Sequence, residues 1–257
     1  GAYMAFYGDN NMYCNIRESG DWIFYTSNNE RLRIASGGNI GIGDRTTSPD
    51  ELLHVHTASG EAKIHVEAAT NARVRIRAHS GESIVQFADA ASSNPGEVNY
   101  AHSSDSMSFR TNGNARVTIN SDGIMTKTHH PSFSASTTSA NTDVVFGAAV
   151  TAIGSHYSTS NGRFTAPVAG NYFFSFHGMS PHANGNNVRC HFRINGAAHG
   201  GGQHYGGVAY AGAHSGGYTH ISMSTILPLS VNDYVTVYWQ YVDMHSEHCK
   251  FNGFLIG

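Results

Sequence analysis

The run INGAAHGGGQHYGGVAYAGAHSGGYTH, residues 194–220, sets His199, His204, His214 and His220 among Tyr205, Tyr210 and Tyr218, with no charged side chain. Tyrosine offers a rigid face for stacking on a sugar ring, and neutral imidazole both donates and accepts hydrogen bonds. Those seven residues are the candidates for binding a receptor, and a surface glycan suits them. The plainer reading of the same run is a long connection between strands, tolerant of small residues.

Other clusters offer other chemistry. His54 and His56 share one face of a strand, and H-S-E-H at 245–248 lies beside Asp243, so a metal ion held by histidine clusters is one reading of each. Against the first, Leu53 and Val55 on the opposite face are the better candidates for an interior. Arg73, Arg75 and Arg77 also share a face. They suit a phosphate or polysaccharide contact, or more simply a solvated face paired with Glu67 or Glu82. G-G-N-I-G-I-G at 37–43 has no helix pattern after it, so a nucleotide site is not expected. Glycoside hydrolysis needs two converging carboxylates. Beyond residue 128 the only ones are Asp143, Asp233, Asp243 and Glu247, and no spacing brings two together. No Ser-His-Asp or Cys-His motif is present, and no enzyme is expected.

The scaffold that must position these residues is β-structure. The chain has 257 residues, 29 of them glycine, and only 13% charged side chains, with abundant Tyr and Phe. Such a balance favours short strands and turns over helices. No apolar run approaches a membrane span, and the net charge of −3 argues against general nucleic-acid binding. No signal peptide opens the chain, and residue 1 is Gly, so a fragment or processed chain is expected, with an N-terminal part missing. Cys14, Cys190 and Cys249 form no motif, although Cys190 and Cys249 can pair if their strands adjoin.

Charge thins abruptly near residue 130, while 12 of the 17 histidines lie from residue 129 onward. Residues 1–128 and 129–257 are therefore read as separate domains. The first contains a repeat at a constant offset. DWIFYTSNNERLRIASGG (21–38) aligns with SMSFRTNGNARVTINSDG (106–123), and each copy reads strand, polar turn, strand, turn, with Asn-Asn or Asn-Gly joining the strands. Residues 52–56, 63–67, 73–77 and 83–87 alternate as further strands. All are too short and one-sided to make a core alone, and suit a thin structure shared by several chains.

G-N-I-G-I-G at 38–43, followed after Asp44-Arg45 by T-T-S-P at 46–49 and Leu53-His-Val55, resembles a segment that recurs in bacteriophage tail-fibre and tail-spike proteins. That resemblance implies an intertwined trimeric β-stranded shaft.

The second half alternates apolar and polar residues in D-V-V-F, Y-F-F-S-F, V-R-C-H-F-R-I-N-G, H-I-S-M-S-T-I-L-P-L and Y-V-T-V-Y-W-Q-Y, the strand spacing of a sandwich or jelly roll. Tyr172, Phe174 and Phe176 share one strand face and Phe173 occupies the other, so this strand is expected to be buried on both sides, either inside a sandwich or against another chain. The half resembles the complement C1q and tumour-necrosis-factor superfamily. Phe146, Tyr157, Phe164, Gly170, Tyr172, Phe174 and Phe176 stand at the signature positions, Ala152 replaces an expected Asn or Asp, and F-N-G-F at 251–254 closes the domain. The resemblance implies that these residues, with Phe251, Gly253 and Phe254, are structural, and that the domain trimerises. Calcium at the trimer apex, which some members bind through acidic loops, is not favoured with so few carboxylates.

Together these readings give an all-β chain: a trimeric fibre shaft followed by a C1q-like jelly-roll head. The expected function is receptor binding by a phage tail fibre, at the extracellular tip of the virion, with a host glycan or outer-membrane receptor and other tail proteins as partners. A secreted or surface-attached bacterial C1q-like lectin, or a glycan-cleaving depolymerase spike, are the alternatives.

Overall fold

The two copies of the repeat fold alike. In the first, β1 (Trp22–Thr26) and β2 (Asn29–Ile34) pair antiparallel and lead to β3 (Ile40–Gly43) and β4 (Leu53–His56). The second lies within a sheet of β5 (Glu82–Phe87), β6 (Gly96–Ala101), β7 (Ser106–Thr111), β8 (Asn114–Ile119) and β9 (Met125–Lys127), in that order. Both hairpins slip register at the equivalent step, Phe24/Tyr25 and Phe109/Arg110. Both turn through two residues of positive φ, Ser27-Asn28 and Asn112-Gly113, the backbone that matches strand twist in a two-residue hairpin. The first turn thus sits one residue earlier than the Asn-Asn pair suggests. Asn29 Nδ2 donates to the Ser27 carbonyl at 3.0 Å, and Asn114 Nδ2 to that of Asn112 at 2.7 Å.

The computed structural model describes residues 19–44, 48–91, 96–136, 144–180, 188–197, 209–211, 217–240, 244–245 and 248–257. Among them there is no α-helix. The backbone divides into two compact units, Gly1–Arg75 and Ile76–Gly257.

In the first unit the glycine-rich motif has a structural purpose. Strand β3 pairs parallel with β4, and Gly43, at φ 119°, faces the His56 carbonyl so closely that a Cβ would lie 1.7 Å from its oxygen. Asn39 Nδ2 donates to the Pro49 carbonyl at 3.0 Å, and a Cβ on Gly41 would meet the Pro49 ring at 3.0 Å. The words G-N-I-G-I-G and S-P therefore describe one packing unit.

Two of the expected strands do not pair. Residues 63–67 and 73–77 run without a sheet partner among the described residues, and their apolar side chains are exposed, Ile64 to 73% and Val74 to 75%. Among the described residues, neither β1–β4 nor β5–β9 holds a hydrophobic core of its own. The buried side chains of β6 are polar: Glu97, which accepts from Arg110 Nη1 at 3.0 Å, and Asn99, which donates to Glu82 at 2.7 Å.

Among the described residues, the buried apolar core lies between Phe133 and Phe251. It fills a sandwich of two five-stranded sheets built from β10 (Ser132–Ser136), β11 (Ala148–Ile153), β12 (Tyr157–Ser158), β13 (Arg163–Thr165), β14 (Gly170–Ser180), β15 (Val188–Ile194), β16 (Ala209–Ala211), β17 (Thr219–Leu229), β18 (Tyr234–Gln240) and β19 (Lys250–Leu255). One sheet runs β11-β10-β19-β14-β17, the other β12-β13-β18-β15-β16. Phe146, Phe164, Tyr172, Phe174, Phe176 and Phe251 are buried, and so is Tyr157. Phe133 stacks on Tyr157 at 4.5 Å and meets Phe251 edge-on at 4.8 Å. Each such ring withdrawn from water contributes roughly 1.5–3 kcal/mol. Gly253 lets these rings close, since a Cβ there would sit 2.6 Å from the Phe174 ring and 2.7 Å from that of Phe133.

One expectation fails here. Phe254 is 44% exposed, on the outer face, because it follows the buried Phe251 by three residues and so points the other way. Phe173 shares that outer face and is only half-buried, so β14 is covered on one side alone within the chain. Cys190 and Cys249 do not pair either. Cys190 lies on β15, with its Sγ 3.7 Å from Met223 Sδ, whereas Cys249 sits at the start of β19, against Met179. Burial pushes the Cys190 thiol up to about 12, so it stays protonated and inert.

Candidate functional site

The outer face of the β11-β10-β19-β14-β17 sheet is graded along its strands. One row crosses it as Ile153, Ser132, Phe254, Phe173 and Ile226 and is largely apolar. The next carries Thr151, Ser134, Asn252, Ser175 and Ser224, with Asn252 Nδ2 donating to Ser175 at 3.3 Å. A third brings Ser136, Lys250, His177 and Ser222 together. Beyond it stands His220, which faces Met179 across β14 and β17.

At this third end the side chains His177, His220, Ser222 and His248 line a hollow of about 260 Å³. Tyr218, 57% exposed, meets the His245 ring at 5.8 Å, and His245 lies 4.4 Å from His248. The backbone N–H of His245 donates to the Met179 carbonyl at 2.6 Å, which anchors this edge to β14. Burial, and then the Lys250 ammonium, hold the His177 imidazole below its usual value, so it is neutral at pH 7. A neutral imidazole carries one donor and one acceptor, the pair that a sugar hydroxyl needs.

Of the residues named from sequence, His220 lines the hollow, and Tyr218 stands near it, against His245 beside His248. Tyr210 belongs to β16, where its backbone pairs with Arg189. His199, His204, Tyr205 and His214 lie outside the described residues. His177 was missed. It occupies the same parity on β14 as Phe173 and Ser175, and only the pairing of β14 with β17 sets it beside His220 and Ser222.

The remaining clusters resolve differently. His54 and His56 touch edge-on at 5.9 Å, and each has a carboxylate near it, Asp50 at 3.6 Å and Asp44 at 3.7 Å. Leu53, expected inside, is 56% exposed. Among the described residues, no group of three or more His, Cys, Asp or Glu is arranged to hold a metal ion. Arg73, Arg75 and Arg77 are exposed and make no ion pair with Glu67 or Glu82; Glu82 accepts from Asn99 instead, and Glu67 approaches His65 at 3.7 Å. Asp233 is structural: its carboxylate accepts from Asn195 Nδ2 at 2.8 Å and the Ser230 N–H at 2.7 Å, which lowers its pKa. Asp143, Asp243 and Glu247 lie outside the described residues.

Compared with protein-family models, residues 129–256 match the C1q domain. The second half of the chain is a C1q domain. No curated protein matches the chain. Similar solved structures include the globular domain of zebrafish complement 1qA, at 19% identity, covering 50% of this chain and 98% of that one, TM-score 0.39. Murine APRIL follows at 14% identity, 49% and 98% coverage and TM-score 0.41. The Eiger TNF of S. frugiperda stands at 10%, 50% and 93%, and 0.40. Within the C1q domain, the signature aromatics form the sandwich core, and the hollow lies at one end of its outer sheet face.

Proposed function

We propose that the chain is the distal part of a bacteriophage tail fibre. Three copies intertwine their strands as a shaft, and three C1q domains form a head that attaches the virion to a host glycan or outer-membrane receptor. The observation that carries this reading is the stretch 61–78. It alternates apolar and polar side chains as a strand does, leaves Ile64, Val66, Val74 and Ile76 exposed, and has no sheet partner among the described residues. Strands of other copies supply the missing partners and cover the exposed side chains. In the C1q domain the apolar row of Phe254, Phe173 and Ile226 supports the same threefold assembly. Three heads then present three histidine-lined hollows, each with Tyr218 nearby, and the joint contact gains avidity from contacts that are weak singly. The head binds rather than cleaves.

Light scattering at low micromolar concentration, with and without chelator, tests the assembly; a mass of three chains, unchanged by chelation, is expected. The trimer is then incubated with host cells and with their purified surface polysaccharide. Saturable binding without new reducing ends is expected, and His177→Ala or Tyr218→Ala weakens it about tenfold. A stable monomer, or release of reducing ends, overturns the reading.

A further inference from the structure

Residues 128–130 carry the chain from β9 into the C1q domain, and beside them opens a cleft of about 340 Å³. Val117, Pro131, Pro167, Val168 and Leu255 make its walls apolar. Arg116 and Lys127 line it as well, with three histidines and no carboxylate. The cleft is laced in place. The Thr128 N–H donates to the Arg116 carbonyl at 3.3 Å, and the His130 ring bonds the Leu255 carbonyl at 2.5 Å.

Arg116 itself is held from two sides. Its Nε donates to Thr111 Oγ1 at 3.1 Å and its Nη1 to His129 Nε2 at 3.0 Å. His129 therefore carries its proton on Nδ1 and donates to Thr128 Oγ1 at 2.9 Å, whose hydroxyl donates in turn to the Ala115 carbonyl at 3.0 Å. A guanidinium has five N–H donors, so this chain fixes its direction and leaves donors unspent. Neither Arg116 nor Lys127 is in an ion pair among the described residues. Two unneutralised cations beside an apolar wall, in a volume at the small end of ligand pockets, define a complementary ligand.

We propose that this cleft binds a small amphiphilic anion. Its carboxylate or phosphate head lies against Arg116 and Lys127, and its apolar body lies along Pro131, Pro167, Val168 and Leu255. Bidentate recognition of such a head is what a positioned guanidinium does best. The site is independent of the hollow on the outer sheet face and of the tail-fibre reading.

Calorimetric titration of the full chain with octanoate tests it, with octyltrimethylammonium as the cation of the same tail. Octanoate is expected to bind about tenfold or more tightly than the cation, and to weaken as NaCl rises from about 0.05 to 0.5 M. Lys127→Glu and Val168→Asp, both at exposed positions, are each expected to weaken octanoate about tenfold with an unchanged circular dichroism spectrum. Co-sedimentation with phosphatidylglycerol vesicles, competed by octanoate, would assign the head to a lipid. Octanoate binding without vesicle binding would assign it to a free anion. Equal binding of both octyl probes, or of octanoate to wild type and Lys127→Glu, overturns the proposal. So does an absence of octanoate binding in which Val168→Asp changes the light-scattering mass, because the cleft is then covered by a second copy.

Discussion

Phe173 and Phe254 lie side by side across β14 and β19, ring centroids 5.3 Å apart, on the face of the sheet turned away from the core. Their immediate neighbours, Phe174 and Gly253, face inward. Alternate residues of one strand pair thus divide between the core and the outer face. Phe174→Ala is expected to cost about 3–5 kcal/mol of stability, as for other buried aromatics. Phe254→Ser is expected to leave the melting temperature of the isolated head within a few degrees and to dissociate the proposed trimer into single chains. A trimer that persists in Phe254→Ser with Phe173→Ser would exclude this face as the seam.

Glycine at 253 is a matter of space. A methyl there meets two aromatic rings below 3.0 Å, in a core whose members hold one another fixed. Gly253→Ala is expected to destabilise the head by about 1–3 kcal/mol in thermal unfolding. The control is Gly123→Ala, where a Cβ meets nothing within 4 Å but φ is 79°, so only backbone strain acts.

His177 should titrate below the ordinary imidazole range. Its folded value is lowered by burial and by Lys250, so the unfolded chain binds the proton more readily. Stability from this group is therefore complete above about pH 6.5, falls as pH drops towards the folded value, and levels off below it. The His177 ring proton, followed by NMR, is expected to show a midpoint under 6.5, and Lys250→Gln to move it upward. No movement in that variant would remove the ammonium as a cause.

Asp233 works in the opposite range. Its lowered value means that the hydrogen bonds from Asn195 and Ser230 stabilise the fold fully above the ordinary carboxylate value near 4, and are lost as pH falls through the lower folded value. Asp233→Asn is expected to remove part of the acid-side loss of stability in denaturant unfolding between about pH 4 and 2, relative to wild type. Parallel pH curves for the two proteins would show that the carboxylate does not contribute.

What the sequence by itself determined is local. The hairpin repeat was legible because turn residues and alternation act over a few positions, and the structure repeats even the bond from Arg31 Nε to Thr26 Oγ1, 2.8 Å, as Arg116 to Thr111. The sandwich was legible for the same reason, through its aromatic spacing and period-two strands. What only the tertiary structure decided depends on which strand lies beside which. Residues 63–67 alternate like a strand yet find no sheet partner among the described residues, since pairing needs a second edge that periodicity does not supply. His177 joins His220, and Arg116 joins Val168, through partners distant in the chain. A shift of one residue in register would turn each of those side chains to the other face, so no local pattern can place them.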